Sequence, residues 1–236
     1  MPLVSLVSVV SVVLVMSLLI AGGPAVAAIP GPGPPTAATL DAWLLEVRAA
    51  SFPELGDAPL TIERFSSDTV FFMSNIDVGS ALHGGPLHLQ LFINDAVLDD
   101  DADVPGEIAL KAVLAHELAH SLDYVQRFSA DGAAGLLPLL PMLAWAPAEE
   151  EIERRTDLVA VRRGYGFGLA AYRRWLYRRL PAEAVLEKRR IYYSPLELVW
   201  LERLATQCPA ALDTAIAHPP RDARAIARLG PATCFR

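Results

Sequence analysis

The stretch VLAHELAH, residues 113–120, determines how the rest of the chain is interpreted. It lies in a segment of about residues 106–127 whose apolar residues recur at the spacing of a buried α-helix. Residues four positions apart on a helix project from the same face. His116 and His120 can therefore direct two imidazole nitrogens at one metal ion, and Glu117 stands beside them, within reach of a water on that ion.

The HExxH pattern predicts a Zn²⁺ site. Three fixed residues match by chance in roughly 3% of chains of this length, and the helical context makes a chance match rarer. The alternative is a pair of helix histidines with a structural role. A catalytic zinc ion usually has three protein ligands and one open position, so we expect a third ligand downstream.

The acidic stretch EEEIERRTD, residues 149–157, offers that third ligand. Glu153 and Asp157 are four residues apart and share one face of a predicted helix. Glu153 is the expected zinc ligand, and Asp157 is expected to accept a hydrogen bond from a ligand histidine and orient it. Glu149 and Glu150 are alternative ligands, and a solvated acidic helix face is the alternative to a metal site.

Three blocks of the sequence together resemble the gluzincin zinc metallopeptidases, in particular the CAAX-prenyl-protease and membrane heat-shock-protease type. The blocks are residues 113–120, the pair Glu153 and Asp157, and the segment AHPPR at 217–221, which continues to residue 229. The family usually has Glu-x-Glu-Ala-Asp in the second block, where this chain has Arg155 and Thr156 at the inner positions. The resemblance covers about residues 87–229.

The motif and the resemblance together predict a zinc-dependent endopeptidase that acts on a peptide or protein substrate. Glu117 is expected to be the general base that activates a water molecule. The resemblance nominates His218 as the donor that stabilises the oxyanion, with Tyr165, Tyr192 and Tyr193 as other candidates. The alternatives are a non-hydrolytic zinc-binding envelope scaffold and a membrane-associated interaction protein that uses the apolar residues 132–148.

The expected fold class is α+β, a mostly helical zincin-like domain with a small β-sheet next to the HExxH helix. Residues 1–28 predict a signal peptide or membrane anchor, residues 29–39 a Pro/Gly linker, and residues 40–236 the metallopeptidase domain. Strand patterns occur near residues 60–65, 70–74 and 87–93. The third of these strands is expected to offer an edge to which an extended peptide can be added.

Charge and cysteine content limit the possible partners and compartments. The net charge of -7 argues against nucleic acid as a partner. Five arginine pairs between residues 154 and 190 predict a solvated helix surface, or else a patch that faces anionic lipid or an acidic substrate. Cys208 and Cys234 can form one disulfide if the chain is secreted or otherwise extracytoplasmic, as residues 1–28 predict. The sequence leaves the oligomeric state open.

Overall fold

A computed structural model describes residues 34–77, 79, 83, 85–98, 103–143 and 146–230. The predicted signal peptide or anchor, residues 29–33 of the predicted linker, and Cys234 lie outside the described residues. The N-terminal segment, the disulfide and the extracytoplasmic location therefore stay predictions. None of the helices in the described part combines the length and apolar character that crossing a bilayer requires.

The described part contains three strands and eight α-helices. The strands are β1 (Leu60–Phe65), β2 (Phe72–Asp77) and β3 (His88–Asn94). The helices are α1 (Ala37–Ser51), α2 (Glu107–Asp131), α3 (Ala146–Arg162), α4 (Gly166–Arg179), α5 (Ala182–Ile191), α6 (Pro195–Gln207), α7 (Pro209–Ala217) and α8 (Ala223–Ala227). Short 3₁₀ turns occur at Pro53–Leu55 and Asp95–Val97, and a longer 3₁₀ segment covers Gly132–Leu143. The predicted fold class, α+β and mostly helical with a small sheet, is confirmed.

The sheet has the order β1-β3-β2, with β1 parallel and β2 antiparallel to β3. Leu89, Leu91 and Ile93 alternate along β3 and are fully buried, as expected for the inner face of a strand. Because β3 is the central strand, the prediction that it offers a free edge is wrong. Both of its backbone edges are already hydrogen-bonded to neighbouring strands.

Helix α2 forms the centre of the fold and carries the HExxH motif. It packs against α1, α3, α4, β2 and the 3₁₀ segment Gly132–Leu143. The Ser121 hydroxyl lies 3.2 Å from the Ser74 hydroxyl, which joins α2 to β2. Helix α4 crosses α2 closely, because a Cβ atom at Gly168 would meet the Ile108 carbonyl oxygen at 2.5 Å. The motif thus lies on turns of the helix that are buried by neighbouring elements.

The helix boundaries after α3 follow the glycine and proline signals in the sequence. Gly164 has a φ of 88°, which residues with a side chain rarely adopt, and it separates α3 from α4. Pro181 caps α5, while Pro195 and Pro209 begin α6 and α7. These breaks turn the C-terminal half into short helices that fold back around α2 and α3.

The arginine pairs do not form one solvated surface. Arg154 and Arg173 are only 6% and 4% exposed. Arg154 donates to the carbonyl oxygens of Arg190 and Pro220, and Arg173 is ion-paired inside the protein. The prediction of a solvated surface is therefore wrong for these two residues. Arg173 is buried because it pairs with Asp157 beside the histidines of the HExxH motif.

Candidate metal centre

Two helices bring three potential ligands to one point. Helix α2 contributes His116 and His120, and helix α3 contributes Glu153. The Oε2 atom of Glu153 lies 3.1 Å from Nε2 of His116 and 3.2 Å from Nε2 of His120. The ligand atoms of these residues all lie within 4.8 Å of one another, and the group can hold a metal ion. The predicted convergence of a downstream carboxylate on the two histidines is confirmed.

The second nitrogen of each imidazole ring is held by another residue of α3. Nδ1 of His116 lies 2.9 Å from Oδ1 of Asp157, so the predicted contact is present, although its geometry is not that of a hydrogen bond. Nδ1 of His120 lies 3.3 Å from the Thr156 hydroxyl, which donates its own proton to the carbonyl oxygen of Ile152. The hydroxyl can therefore only accept from Nδ1 of His120, which leaves the lone pair on Nε2. This tautomer is the one a metal ligand needs.

The spacing of the three ligand atoms fits a tetrahedral zinc ion. With metal–ligand bonds of about 2.0 to 2.1 Å, neighbouring ligand atoms of a tetrahedron lie about 3.3 Å apart. The two nitrogen–oxygen distances of 3.1 and 3.2 Å are close to that value. Two histidines and one carboxylate are protein ligands typical of catalytic zinc, which keeps a further position for water. The residues present therefore fit the predicted ion.

Asp157 is the most deeply buried member of the centre, with no exposed surface. Its Oδ1 atom also accepts a hydrogen bond from Arg173 at 3.2 Å, and its Oδ2 atom accepts one from the backbone N–H of Tyr193 at 3.3 Å. The Arg173 guanidinium stacks 3.9 Å from the ring centroid of Tyr192. A buried carboxylate needs such partners, and here they fix the oxygen that contacts His116.

The charges of the centre shift the pKa values of its histidine and carboxylate ligands in opposite directions. Burial lowers the pKa of His116, but the carboxylates of Asp157 and Glu153 outweigh burial and raise it to about 10. Burial raises the pKa of Glu153, but His120 and His116 outweigh it and hold the pKa well below its ordinary value. Both shifts favour a protonated His116 next to ionised carboxylates.

Glu117 lies beside the ligands without being one of them. Its side chain accepts no hydrogen bond from any described residue and is 5% exposed. Burial raises the pKa of Glu117, while the neighbouring His116 and His120 act to lower it. A desolvated carboxylate with a raised pKa is a stronger proton acceptor than an ordinary glutamate at the surface.

The structure does not group His218 with the ligands. His218 is exposed, follows the last turn of α7, and lines a pocket of about 240 Å³ whose lining residues include none of the three ligands. Among the tyrosines, Tyr165 bonds Ser51 and Tyr193 donates to the Pro220 carbonyl. The Tyr192 ring centroid instead lies 5.9 Å from that of His116.

Sequence reasoning missed three residues of the centre. In the sequence, Thr156 is a departure from the family pattern, Arg173 belongs to an arginine pair of a predicted surface, and Tyr124, which stacks on His120, stands one helical turn after it. Only Thr156 could have been predicted as part of the centre, because it precedes Asp157 and lies three residues after Glu153, on the same side of the helix.

Comparison of the chain with protein-family models, with curated proteins and with solved structures finds no match. The resemblance to gluzincins therefore stays a prediction that rests on the motif blocks. The metal centre is argued from its own geometry.

Removal of the third ligand should weaken metal binding selectively. Glu153→Ala is expected to lower zinc affinity by more than about 100-fold, because even outer-shell partners of zinc ligands contribute about 10- to 100-fold. Glu149→Ala is the matched control, a glutamate one helical turn earlier on α3. Competition with a fluorescent chelator measures both. A larger loss of zinc affinity in Glu149→Ala would instead identify Glu149 as the third ligand.

Metal-free protein should lose stability as the pH rises. His116 has a raised pKa of about 10 in the folded state, so its contribution to stability is complete below about pH 6.5 and is lost as the pH rises toward 10. The free energy of unfolding in a chelator should fall by at most about 1.4 kcal/mol per pH unit in that window. His116→Gln should flatten the slope relative to wild type. Parallel slopes in urea titrations of the two proteins would contradict the assignment.

Proposed function

We propose that this chain is a zinc-dependent endopeptidase. The observation that carries the proposal is the meeting of His116, His120 and Glu153 at one point, with Glu117 adjacent and outside the ligand set. A structural zinc site has four protein ligands and needs no base, whereas three ligands and a neighbouring carboxylate suit hydrolysis. Peptide bonds are the proposed substrate because HExxH on a helix is associated with that chemistry.

In the proposed reaction, the zinc ion and the side chains of the protein have different roles. When bound, zinc supplies a Lewis acid that lowers the pKa of water and polarises the carbonyl of the substrate. Glu117 accepts a proton from the attacking water and then gives it to the leaving amine. Thr156 accepts from Nδ1 of His120 and so leaves the lone pair of that ring on Nε2, while the Asp157 carboxylate lies against Nδ1 of His116.

Tyr192 is a better candidate than His218 for the donor to the developing oxyanion. Its ring is adjacent to His116, and its hydroxyl has no hydrogen-bond partner among the described residues. Burial and the negative charge of Glu153 raise the pKa of Tyr192 well above its ordinary value, so the hydroxyl keeps its proton at neutral pH. A neutral, preorganised donor can stabilise charge that develops in the transition state.

A non-hydrolytic zinc scaffold is the competing function, and Glu117 weighs against it. Burial of a carboxylate without a hydrogen-bond donor costs free energy, so a structural site gains nothing from keeping one there. The burial of Glu117 is instead consistent with a general base that accepts a proton from a water molecule during the reaction.

Loss of the base should abolish cleavage and leave the metal in place. Glu117→Gln is expected to bind zinc with near wild-type affinity and to lower kcat by about 10²- to 10⁴-fold. The assay is chelator-sensitive cleavage of a mixed peptide library, with metal content measured on the same preparations. Cleavage by Glu117→Gln at nearly the wild-type rate would remove this residue from the mechanism, and no cleavage by zinc-loaded wild type would favour the scaffold.

Removal of one hydroxyl should identify the oxyanion donor. Tyr192→Phe is expected to lower kcat by about 10²- to 10³-fold with little change in KM, because the donor acts mainly in the transition state. Tyr193→Phe is the matched control, since its hydroxyl bonds the Pro220 carbonyl away from the ligands. A comparable loss of kcat in both variants, or in His218→Gln alone, would reject Tyr192.

A further inference from the structure

The C-terminal end of helix α5 carries three consecutive cations, Lys188, Arg189 and Arg190, immediately before the turn that contains Tyr192. None of the three side chains forms an ion pair with another residue of the described part. Other cations of the surrounding helices are ion-paired, among them Lys111, Arg127, Arg154, Arg155, Arg162 and Arg173. Exposed arginines such as Arg174, Arg203 and Arg221 also lack an ion pair in the described part, but the cations at the end of α5 lie next to the turn that holds Tyr192.

Lys188 is the cation of this group whose side chain lies against the Tyr192 ring, next to the metal centre. Its Nζ atom lies 5.6 Å from the centroid of the Tyr192 ring, and that ring centroid lies 5.9 Å from that of His116. Nζ is therefore at most about 11.5 Å from the His116 ring. Arg189 points elsewhere, since its guanidinium lies over the ring of Tyr177 at 5.2 Å.

The surroundings of Lys188 make it a site for an anion from outside the chain. The side chain is half-buried, and burial together with the positive charge of Arg173 lowers the pKa of Lys188. Glu153, Glu187 and Glu149 contribute negative charge at longer range, but none of them comes within ion-pairing distance of Lys188. A partly desolvated ammonium without an ion-pair partner gains more from a bound carboxylate than a solvated one does.

We propose that Lys188 binds a carboxylate of the peptide substrate, on one side of the cleaved bond and within about four residues of it. The range follows from the limit of about 11.5 Å and from the 3.3 to 3.6 Å that each extended residue spans. The inference rests on the proposed peptidase function and adds a substrate class to it. The carboxylate belongs either to an aspartate or glutamate side chain or to the free C-terminus of the substrate.

Matched peptides test the inference directly. One cleavable neutral peptide is taken as the parent, and glutamine is replaced by glutamate at each of four positions on either side of the cleaved bond. A second set compares a free C-terminal carboxylate with its amide. At one position, or at the free terminus, the carboxylate should raise kcat/KM by about tenfold or more. Which set shows the gain distinguishes a side-chain carboxylate from the terminal one.

Variants of α5 assign the preference to a residue. Lys188→Met should reduce the ratio of kcat/KM between the acidic and neutral peptides to about one, mainly through KM. Lys188→Arg should retain most of the preference, because the charge remains. Arg189→Met is the matched control and should behave as wild type. Equal kcat/KM for acidic and neutral peptides in wild type, or an unchanged ratio in Lys188→Met, would overturn the inference.

A binding measurement separates this inference from the proposed function. Zinc-loaded Glu117→Gln is titrated with labelled acidic and neutral peptides, and anisotropy reports affinity without cleavage. About tenfold tighter binding of the acidic peptide, lost in Glu117→Gln combined with Lys188→Met, would support Lys188 even if wild type proved inactive. Cleavage of neutral and acidic peptides at equal rates, with equal binding, would leave the peptidase intact and reject Lys188.

Discussion

The contact of one carboxylate oxygen with two imidazole nitrogens is the constraint on which the centre depends. The i,i+4 spacing on α2 fixes the separation of His116 and His120, but Glu153 comes from α3 and arrives only if the two helices pack correctly. The same face of α3 supplies Thr156 and Asp157, which hold the far nitrogen of each ring. One helix face thus provides the third ligand and the supports of the other two, so a shift of α3 would disturb all of these contacts together.

Features that depend on local periodicity could be predicted from the sequence. The HExxH helix, the pairing of Glu153 with Asp157 and the approximate positions of the strands and helix breaks follow from spacing and from proline and glycine signals. Strand order could not be predicted in this way, because pairing joins segments that are distant in the chain. An alternating pattern such as that of His88–Asn94 fits an edge strand as well as a central one. In this sheet the strand lies at the centre.

Residue types alone also failed to separate neighbours that have opposite surroundings. Tyr192 and Tyr193 follow the end of α5, and Tyr192 has extended backbone angles, so the two successive side chains point to opposite sides. One ring therefore lies against His116, and the other donates to the Pro220 carbonyl. In the same way, Arg173 and Arg174 form a doublet in sequence, but helical geometry buries only Arg173 against Asp157.

The charges buried around the ligands give an independent reason why a divalent cation suits this centre. Glu117, Glu153 and Asp157 contribute three carboxylates, and among the described residues Arg173 is the one permanent cation that pairs with any of them, through Asp157. With neutral histidines the group carries two uncompensated negative charges, which a low-dielectric interior strongly disfavours. Protonation of a histidine offsets part of this charge, which is why the pKa of His116 is raised when no metal is bound. A divalent cation at the ligand point neutralises the remainder and leaves both imidazole rings in the form that binds it.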